Sequence, residues 1–591
     1  MNQQRLEKVD LDLQVNNDRM GRKMKTLLKR IEENKKKIFG IVAIILIIIF
    51  AFSITPKKMQ NDIFYTIPIG KLIRENGIDG IDHFSLHKGL PYEYPHWLYD
   101  VGMSYIYDLG GFDAIYISTC IFTILLGLSI YLVNYKLSKN NYLSFTVTIV
   151  VLYLIKGYIT ARAQLVTFIL FILLVYNIER FIKDKKVINA VTLFFIHLLI
   201  ANLHVAVWPF TFILYLPYIA EYLISEVTEI VLYKKMEIFF LKHRVKVINK
   251  KMEKKYLKNR DKLVLKLQTL TEKLLQKQNK VQKIRKKREQ NEGKEYKITI
   301  RKNKNVRWLI LIMVIAIITG FLTPLGKTPF TYTYLTMKGN TTHNISEHLP
   351  LTLTNNTPML CTMIVLIALI AFTKIKISLS DLCMIGGLTL LMFMSRRQQS
   401  MLVLIGSIAF TRMIMQFFEI ILNKPLDTMI EKYFNKFTAF LLIVGMLTWS
   451  LHLYSKIKNT RYVNEVTYPV QASEWILQNL DYKNIKLYNE YNFGSYLLYK
   501  GIPVFIDSRA DLYAPEFNTS SGNVKDGNDI FMDFINSSNI STFYEDIFDK
   551  YEITHMILYK SSKIAMIIRK ADFENYKEIY SDNNFVIFER I

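Results

Sequence analysis

The chain has 591 residues, of which 51% are hydrophobic, and it carries a formal net charge of +26. So much apolar sequence beside so much charge excludes a single soluble globule unless the two are segregated along the chain, and here they are. Apolar stretches near the length of a membrane span recur eleven times, at 39–54, 112–133, 142–155, 164–177, 187–201, 206–220, 308–322, 358–373, 377–394, 401–422 and 437–452. The sequence therefore predicts a polytopic α-helical membrane protein with about eleven spans and no cleavable signal peptide.

Charge is concentrated in two segments that we expect on the same side of the membrane. Residues 1–38 contain eleven Lys/Arg and six Asp/Glu, and residues 231–307 contain 27 Lys/Arg and seven Asp/Glu. The basic connectors that fall on the same side are 136–140, 183–186 and 373–376. The positive-inside rule makes this face cytoplasmic, so the chain is predicted to lie in the plasma membrane.

The predicted organisation has five parts. They are a basic cytoplasmic segment (1–38), a transmembrane half (39–225) with a long first outer loop (55–111), a basic cytoplasmic insertion (226–307), a second transmembrane half (308–454) and an extracytoplasmic α/β domain (455–591). The insertion has heptad-like apolar spacing, which predicts a helix pair or coiled coil. We expect it to meet a cytoplasmic protein or anionic lipid rather than nucleic acid.

Chemistry in a multi-spanning protein is expected in loops and at helix ends. In the first outer loop, Asp62 opens the amphipathic helix predicted at 63–75, either as a functional carboxylate or as a helix N-cap. His96 opens a second amphipathic stretch, and "ANLHVAVWP" places Asn202 and His204 at the end of a span. Glu347 in "ISEH" is a further acidic group or a metal ligand.

Three arginines lie on the predicted outer side, against the orientation rule. Arg162 lies in the hinge "ITARAQ", and Arg396 and Arg397 begin a span in "SRRQQS". A phosphate head group is one reason for them, because guanidinium binds phosphate bidentately. Interfacial snorkelling or pairing with a loop carboxylate is the alternative.

The C-terminal domain reads as a small, partly parallel α/β unit. We predict helices at 470–480 and 543–553, strands at 485–490, 502–507 and 554–560, and a hairpin at 577–590. The run "VFIDSRADLY" places Asp507, Arg509 and Asp511 after one strand. This group either faces an acceptor glycan or forms a local ion-pair network.

Several ordered motifs together resemble the GT-C superfamily of integral-membrane glycosyltransferases, more narrowly its bacterial protein O-mannosyltransferase-like type with a soluble C-terminal domain. They are "NDIFYTIPIGKLIRENGIDGIDHFSL" (61–86), "YPHWLYDVGMSYIYDLGG" (94–111), "ARAQLVTFIL" (161–170), "ANLHVAVWP" (201–209), "LTPLGKTPF" (322–330), "ISEHLP" (345–350), "SRRQQSMLVL" (395–404) and "YNFGSYLLYKGIPVFIDSRADLY" (491–513).

The resemblance implies transfer of a sugar from a polyprenyl-phosphate-type lipid donor to a cell-surface glycan, lipid or protein of the cell envelope. Asp62 matches the acidic residue of the first outer loop, the expected catalytic base. Many relatives carry an acidic pair there, whereas Asn61 and Ile63 flank Asp62 in this chain. Donor phosphate is expected at Arg396, Arg397, Arg162 (or Lys327) and His204. The acceptor or supporting residues are expected to be His96, Asn202, Glu347, Asp507, Arg509 and Asp511.

No nucleotide-binding or hydrolase motif occurs in the chain, and no cofactor is predicted with certainty; a divalent metal stays open. A non-catalytic transporter or assembly scaffold for lipid-linked polymers is the alternative function. A transporter would be expected to carry charges within its spans, and the apolar stretches hold few. A sensor is a third class, although it would not need so many spans.

Overall fold

The computed structural model describes residues 35–228, 231–252, 260–291, 297–423, 435–519 and 528–591. Most of the basic N-terminal segment predicted at 1–38 therefore lies outside the described residues. Each of the eleven apolar stretches is mainly helical. The helices of this part are α1 (Lys35–Ile54), α2 (Asn61–Asn76), α3 (Trp97–Ser138), α4 (Asn141–Ile155), α5 (Ala163–Asp184), α6 (Val187–Leu203), α7 (Trp208–Ile213), α8 (Leu216–Thr228), α9 (Val231–Met252), α10 (Arg260–Asn291), α11 (Val306–Ala316), α12 (Thr328–Lys338), α13 (Thr341–Asn344), α14 (Thr357–Phe372), α15 (Leu379–Met394), α16 (Gln399–Leu422) and α17 (Lys436–Ile457).

The apolar helices form the membrane part of a multi-pass protein. In the described part of the chain, seven helical segments are long and apolar enough to cross a membrane, by length and composition. Four shorter apolar helices of 10–17 residues, among them α6 and α15, pack with them. Their buried side chains form one continuous hydrophobic cluster that runs from Phe39 to Met446.

Helix α3 combines two predicted stretches. Its backbone leaves the helical conformation at Gly110 and Gly111, and Gly111 has a φ of 60°, a left-handed value that glycine adopts without steric cost. The kink separates an amphipathic first part, which begins after His96, from an apolar second part that runs to Ser138. The first loop can therefore lie across the end of the bundle.

The insertion after α8 contains the two helices α9 and α10, and they pack against each other. Lys277 of α10 forms an ion pair with Glu237 of α9. After them, the short strands β1 (Ile298–Thr299) and β2 (Ile377–Ser378) pair in parallel. The helix pair expected from the heptad-like spacing is therefore present in the described part of the insertion.

The C-terminal domain is built on a four-stranded sheet. Its strands are β3 (Leu487–Asn489), β4 (His555–Tyr559), β5 (Tyr576–Ser581) and β6 (Phe585–Arg590), in the order β3-β4-β6-β5. Strands β3 and β4 are parallel and the other pairs are antiparallel, so the sheet is partly parallel as predicted. The helices around it are α18 (Val470–Asn479), α19 (Tyr491–Tyr499), α20 (Ile530–Asn539), α21 (Tyr544–Lys550) and α22 (Lys563–Ala571).

The predicted strand at 502–507 is wrong. This segment is extended but makes only a single bridge, between Val504 and Ser85 of the first loop. The side chain of Asn489 replaces a neighbouring strand: its amide donates to the Ile506 carbonyl at 2.7 Å and accepts from the Phe505 amide at 2.8 Å. Asp507 therefore follows an extended segment, not a strand of the sheet.

A second hydrophobic core joins the first long loop to the C-terminal domain. It includes Ile63 and Phe64 of α2 together with Phe493 and Tyr496 of α19 and the sheet. Helix α2, predicted as amphipathic, packs against α3 and α19. At Gly70 the two helices come so close that an added Cβ would lie 2.0 Å from the Asp100 carbonyl oxygen. This packing fixes the start of α2, where Asp62 lies.

Candidate functional site

Three charged side chains from distant segments meet where the first loop, the bundle and the C-terminal domain converge. Nε of Arg162 lies 2.7 Å from Oδ2 of Asp62. Nη1 of Arg162 donates to both carboxylate oxygens of Glu347, at 3.1 and 3.3 Å. The Asp62 contact is an ion pair without the alignment of a hydrogen bond, because Arg162 Nε has no hydrogen-bond partner in the described part of the chain. One guanidinium therefore bridges two carboxylates.

Local structure sets the position of each member of this cluster. Asp62 is the second residue of α2 and the N-cap is Gln60, so Asp62 does not cap the helix. Arg162 is the N-cap residue of α5, in an extended conformation that turns its side chain back toward α2. The carboxylate and the guanidinium thus come from two helix starts that face each other.

Glu347 is fixed by the turn that precedes α16. The Arg397 amide donates to the Glu347 carbonyl at 3.1 Å, and the Arg396 amide donates to the Leu349 carbonyl at 2.9 Å. The Ser395 hydroxyl also donates to the Glu347 carbonyl, at 3.3 Å. The "ISEH" segment and the "SRRQQS" segment are thereby joined into one unit.

The two neighbouring arginines of this turn point in different directions. Nε of Arg396 donates to the Pro350 carbonyl at 3.3 Å, and the Arg396 carbonyl accepts from the Tyr158 hydroxyl at 2.8 Å. The guanidinium of Arg397 makes no hydrogen bond or ion pair within the described residues, although its charge acts on Glu347 and His96. Arg397 is thus the partly buried cation left without a protein partner beside the cluster.

The charges of the cluster act on one another. Burial raises the pKa of Glu347, but the charges of Arg162 and Arg397 outweigh burial and hold this pKa below its usual value. Burial lowers the pKa of the Arg162 guanidinium, but the charges of Asp62 and Glu347 raise it by more. The pKa of Arg162 therefore lies above its usual value. Both side chains are therefore ionised at neutral pH.

His96 and His204 lie together beside the arginines, with ring centroids 4.8 Å apart. Burial, followed by the charges of Arg397 and Arg162, lowers the pKa of His96 to about 3. Nδ1 of His204 lies 3.3 Å from the Thr167 hydroxyl. His96 is consequently a neutral imidazole at physiological pH, suited to donating or accepting one hydrogen bond.

Two predicted residues lie in other surroundings. The Asn202 amide donates to the carbonyls of Leu198 and Leu322, at 2.9 and 3.2 Å, and so connects α6 to the segment before α12. Lys327 is exposed at the N-cap of α12. Neither side chain makes a hydrogen bond or ion pair with the cluster among the described residues.

Asp507 and Arg509 form a buried ion-pair network, the second of the two alternatives for the run "VFIDSRADLY". Arg509 binds Asp507 through Nε and Nη2, at 2.9 and 2.7 Å, and binds Asp82 of the first loop through Nη1 at 2.5 Å. The Tyr513 hydroxyl donates to Asp507 at 2.7 Å. The Arg509 side chain is only 3% exposed, so the network is closed to solvent.

Asp511 has a separate role in the same run. It accepts hydrogen bonds from Tyr332 at 2.7 Å and from Thr336 and Thr341 at 3.3 Å each. Burial raises the pKa of Asp511, although these three hydrogen bonds and, to a smaller extent, the charge of Arg397 oppose this shift. Asp511 therefore connects the C-terminal domain to α12 and α13 on the side of the cluster.

Two cavities flank this region. One, of about 460 Å³, lies between α4, α14, α15 and α16 and is almost wholly apolar. The other, of about 480 Å³, lies between the C-terminal domain and residues 344–346, directly before Glu347. It is lined by polar and aromatic side chains, including Glu490, Tyr491, Asn492, Phe531 and Lys563.

Sequence reasoning missed Asp82 and Asp100. Asp82 is buried and its partner Arg509 is 427 positions away, so no local pattern marks it. Asp100 is fully buried one turn into α3, close enough to Asp62 for their charges to interact. An acidic residue in the apolar-aromatic run "HWLYDVGM" was the available signal for Asp100.

No protein-family model and no curated protein sequence matches the chain. Among solved structures it is similar to the archaeal oligosaccharyltransferase AglB from Archaeoglobus fulgidus in complex with an inhibitory peptide and a dolichol-phosphate. The TM-score is 0.51 at 10% sequence identity, over 91% of this chain and 70% of that one. A crystal structure of the Archaeoglobus fulgidus oligosaccharyltransferase in the apo form gives a TM-score of 0.48 at 11% identity, over 90% and 70% of the two chains.

The first of these likenesses shows the fold. The chain shares its overall fold with this archaeal oligosaccharyltransferase, in agreement with the fold that the resemblance to GT-C enzymes implied. The narrower O-mannosyltransferase-like type stays a prediction.

Proposed function

We propose that the chain is a membrane glycosyltransferase that moves a sugar from a polyprenyl-phosphate-type lipid donor to an acceptor at the outer face of the plasma membrane. The observation that carries the proposal is the cluster in which Asp62 is held by Arg162 beside Glu347, while the Arg397 guanidinium has no hydrogen-bond or ion-pair partner among the described residues. The GT-C fold supports it, because the similar archaeal enzyme is an oligosaccharyltransferase that was solved with a dolichol-phosphate.

In the proposed reaction Asp62 is the general base. Oδ2 of Asp62 faces Arg162, and Oδ1 makes no hydrogen bond within the described residues. Oδ1 would accept the proton of an acceptor hydroxyl as that oxygen attacks the anomeric carbon, and the bond from this carbon to the donor phosphate oxygen would break. At the anomeric carbon one bond forms and one breaks, the acceptor proton passes to Asp62, and the lipid phosphate leaves with the electron pair.

The departing phosphate needs positive charge aimed at it. Arg397 supports this role, because its guanidinium is partly buried and has no competing carboxylate in hydrogen-bond contact among the described residues. Arg396 is turned toward the Pro350 carbonyl and would act at the edge of the site. His96 and His204 would orient the donor as neutral imidazoles.

The two cavities suit the two substrates. The apolar cavity begins at Leu154 and Leu402, about one helical turn from Tyr158 and Arg397, and would hold the start of a prenyl chain. The polar cavity above Glu347 combines aromatic rings with amide and carboxylate groups, as sugar-binding sites do, and would hold the acceptor. A cell-surface glycan, lipid or protein stays the proposed acceptor class.

A transfer assay tests the proposal. The purified chain in nanodiscs would be given radiolabelled polyprenyl-phosphate sugars and cell-envelope acceptor material. We expect transfer by the native protein and a loss of roughly 100-fold or more for Asp62→Asn, the usual scale for a lost general base. Asp108→Asn is the matched control, since Asp108 lies in the same loop but pairs with Arg74 at the surface. Equal rates for Asp62→Asn and native protein would remove Asp62 from the mechanism.

A transporter or scaffold is favoured by one observation. Arg412 of α16 pairs with Asp381 of α15 at 2.7 Å and with Glu179 of α5, so the helix bundle holds more charge than its apolar stretches suggested. Charges within spans are typical of transport pathways, but here each charge has a partner. Movement of a fluorescent prenyl-phosphate sugar across liposomes, unchanged in Asp62→Asn, would support this alternative.

A further inference from the structure

We propose that the Arg162 guanidinium takes the place of a divalent cation between Asp62 and Glu347, so that transfer at this site needs no metal ion. This inference rests on the proposed function for its role in catalysis, but its structural basis is independent of activity. The three side chains come from α2, the start of α5 and the loop before α14.

Two carboxylates facing each other are the usual core of a site for Mg²⁺ or Mn²⁺, and they made a metal an open alternative for this chain. Such an ion needs about six oxygen ligands at about 2.0–2.2 Å, in near-octahedral geometry. Here the space between the carboxylates is filled by the guanidinium, with Nε 2.7 Å from Asp62 and Nη1 3.1 Å from Glu347. Within the described residues, no three His, Cys, Asp or Glu side chains are grouped closely enough to hold a metal.

The charges around the pair also disfavour a metal. The charges of Arg162 and Arg397 both act on Glu347, and both also act on His96. A divalent ion would therefore enter a site that already holds two fixed positive charges against two carboxylates. The donor set consequently does not fit a resident Mg²⁺ or Mn²⁺.

A guanidinium supplies part of what a metal would supply. It is always protonated, it offers donors in a fixed plane, and it binds two carboxylates at once. Arg162 thereby cancels the repulsion between Asp62 and Glu347 and holds Oδ2 of Asp62 in place, which leaves Oδ1 for the acceptor. Arg162 is a positioning residue in this scheme, and its charge adds to that of Arg397 near the leaving phosphate.

Binding of Mn²⁺ to the purified full chain, measured by electron paramagnetic resonance, decides the inference without an activity assay. We expect the native protein to bind no stoichiometric Mn²⁺. Arg162→Asp replaces the guanidinium by a third carboxylate and is expected to bind one Mn²⁺ per chain. Binding that disappears again in Arg162→Asp combined with Glu347→Gln would place the ion between these residues.

One equivalent of Mn²⁺ on the native protein, lost in Asp62→Asn or Glu347→Gln, would overturn the inference. Should Arg162→Asp fail to fold, Arg162→Gln serves instead: it opens the space between the carboxylates and is expected to raise Mn²⁺ affinity above that of the native chain. Native-level affinity in a folded Arg162→Gln protein would also count against the inference.

Transfer assays test whether catalysis at this site is independent of a metal ion. We expect full native activity in EDTA, and a loss of roughly 100-fold in Arg162→Gln that Mn²⁺ reverses at least in part. Loss of native activity in EDTA, with recovery on adding Mn²⁺, would overturn metal independence. If the native chain transfers no sugar at all, the proposed function fails, while the Mn²⁺ titration still decides what lies between Asp62 and Glu347.

Discussion

Arg509 of the C-terminal domain donates to Asp82 of the first long loop at 2.5 Å, across 427 positions of sequence, while its other nitrogens bind Asp507. All three side chains are closed to solvent. Buried ions persist only when each has a partner, so this network joins two segments that must fold together. It also holds the loop that continues into His96.

The first prediction concerns this network. Arg509→Met would leave Asp82 and Asp507 as two buried carboxylates without their cation, and breaking a buried pair in this way costs about 3–5 kcal/mol. We expect a large drop in the thermal unfolding temperature of the detergent-purified protein. Arg461→Met removes an exposed i,i+4 partner of Glu465 and should change stability by less than about 0.5 kcal/mol. Similar shifts for both variants would contradict a closed network.

The second prediction separates the neighbouring arginines of the turn before α16. Arg397→Ala removes the guanidinium proposed for the donor phosphate and should lower kcat/KM by roughly 10–100-fold, the value of one or two charged hydrogen bonds. Arg396→Ala removes a single hydrogen bond to the Pro350 carbonyl and should lower kcat/KM by less than roughly 5-fold. The measurement is transfer rate against concentration of prenyl-phosphate sugar. The reverse order of effects would assign donor binding to Arg396.

The third prediction is a pH dependence of stability. Burial raises the pKa of Glu490 to about 7, against the hydrogen bond from the Tyr559 amide, which lowers it. The folded state therefore keeps a proton that the unfolded state releases near pH 4.5. As the pH rises from 4.5 to about 7, the contribution of Glu490 to the stability of the folded state falls. Glu490→Gln stays neutral, so its stability relative to the native protein should increase as the pH rises across that interval.

The gain at about pH 8 should be on the order of 3 kcal/mol, because the pKa is raised from 4.5 to about 7 and each pKa unit corresponds to about 1.4 kcal/mol. Thermal unfolding at several pH values between about 5 and 8 measures it. Glu574→Gln changes an exposed carboxylate of the same domain and is the matched control. A difference between Glu490→Gln and native protein that does not grow with pH would show that Glu490 does not titrate in this interval.

The fourth prediction tests the packing that positions Asp62. Gly70→Ala places a methyl group 2.0 Å from the Asp100 carbonyl oxygen, so α2 must move away from α3. We expect destabilisation of about 1–3 kcal/mol and a lower transfer rate, since Asp62 is on the displaced helix. Gly102→Ala, two residues after Asp100 on α3, has open space around its Cβ and should be neutral or stabilising by about 0.5–1 kcal/mol. Equal behaviour of both variants would argue against this close contact.

Much of the fold could be predicted from local patterns. Apolar length marked stretches that are mainly helical in the described part of the chain, and heptad-like spacing marked α9 and α10, because both patterns record burial along one element. The segment 502–507 was wrongly predicted as a strand, because its apolar run is buried like a strand but its backbone bonds go to the Asn489 side chain and, at Val504, to the first loop. No sequence pattern distinguishes an amide side chain from a neighbouring strand as the partner.

The candidate site was only partly predictable. Arginines on a predicted outer face and an acid at a helix start are local anomalies, so Asp62, Arg162, Glu347 and Arg397 could each be proposed. Their pairing depends on the fold: Arg162 and Glu347 are 185 positions apart. The different directions of Arg396 and Arg397 depend on the hydrogen bonds of one turn to Leu349 and Glu347, which residue order alone does not reveal.

The second hydrophobic core has a consequence for how such a chain can change. Its interior is built from both Ile63 and Phe64 near the beginning and Phe493 and Tyr496 near the end. A C-terminal domain exchanged with that of another chain would meet a first loop shaped for a different partner, with Asp82 facing no arginine. Recombination that preserves this core must exchange the first loop and the C-terminal domain together, although nearly the whole membrane bundle lies between them in sequence.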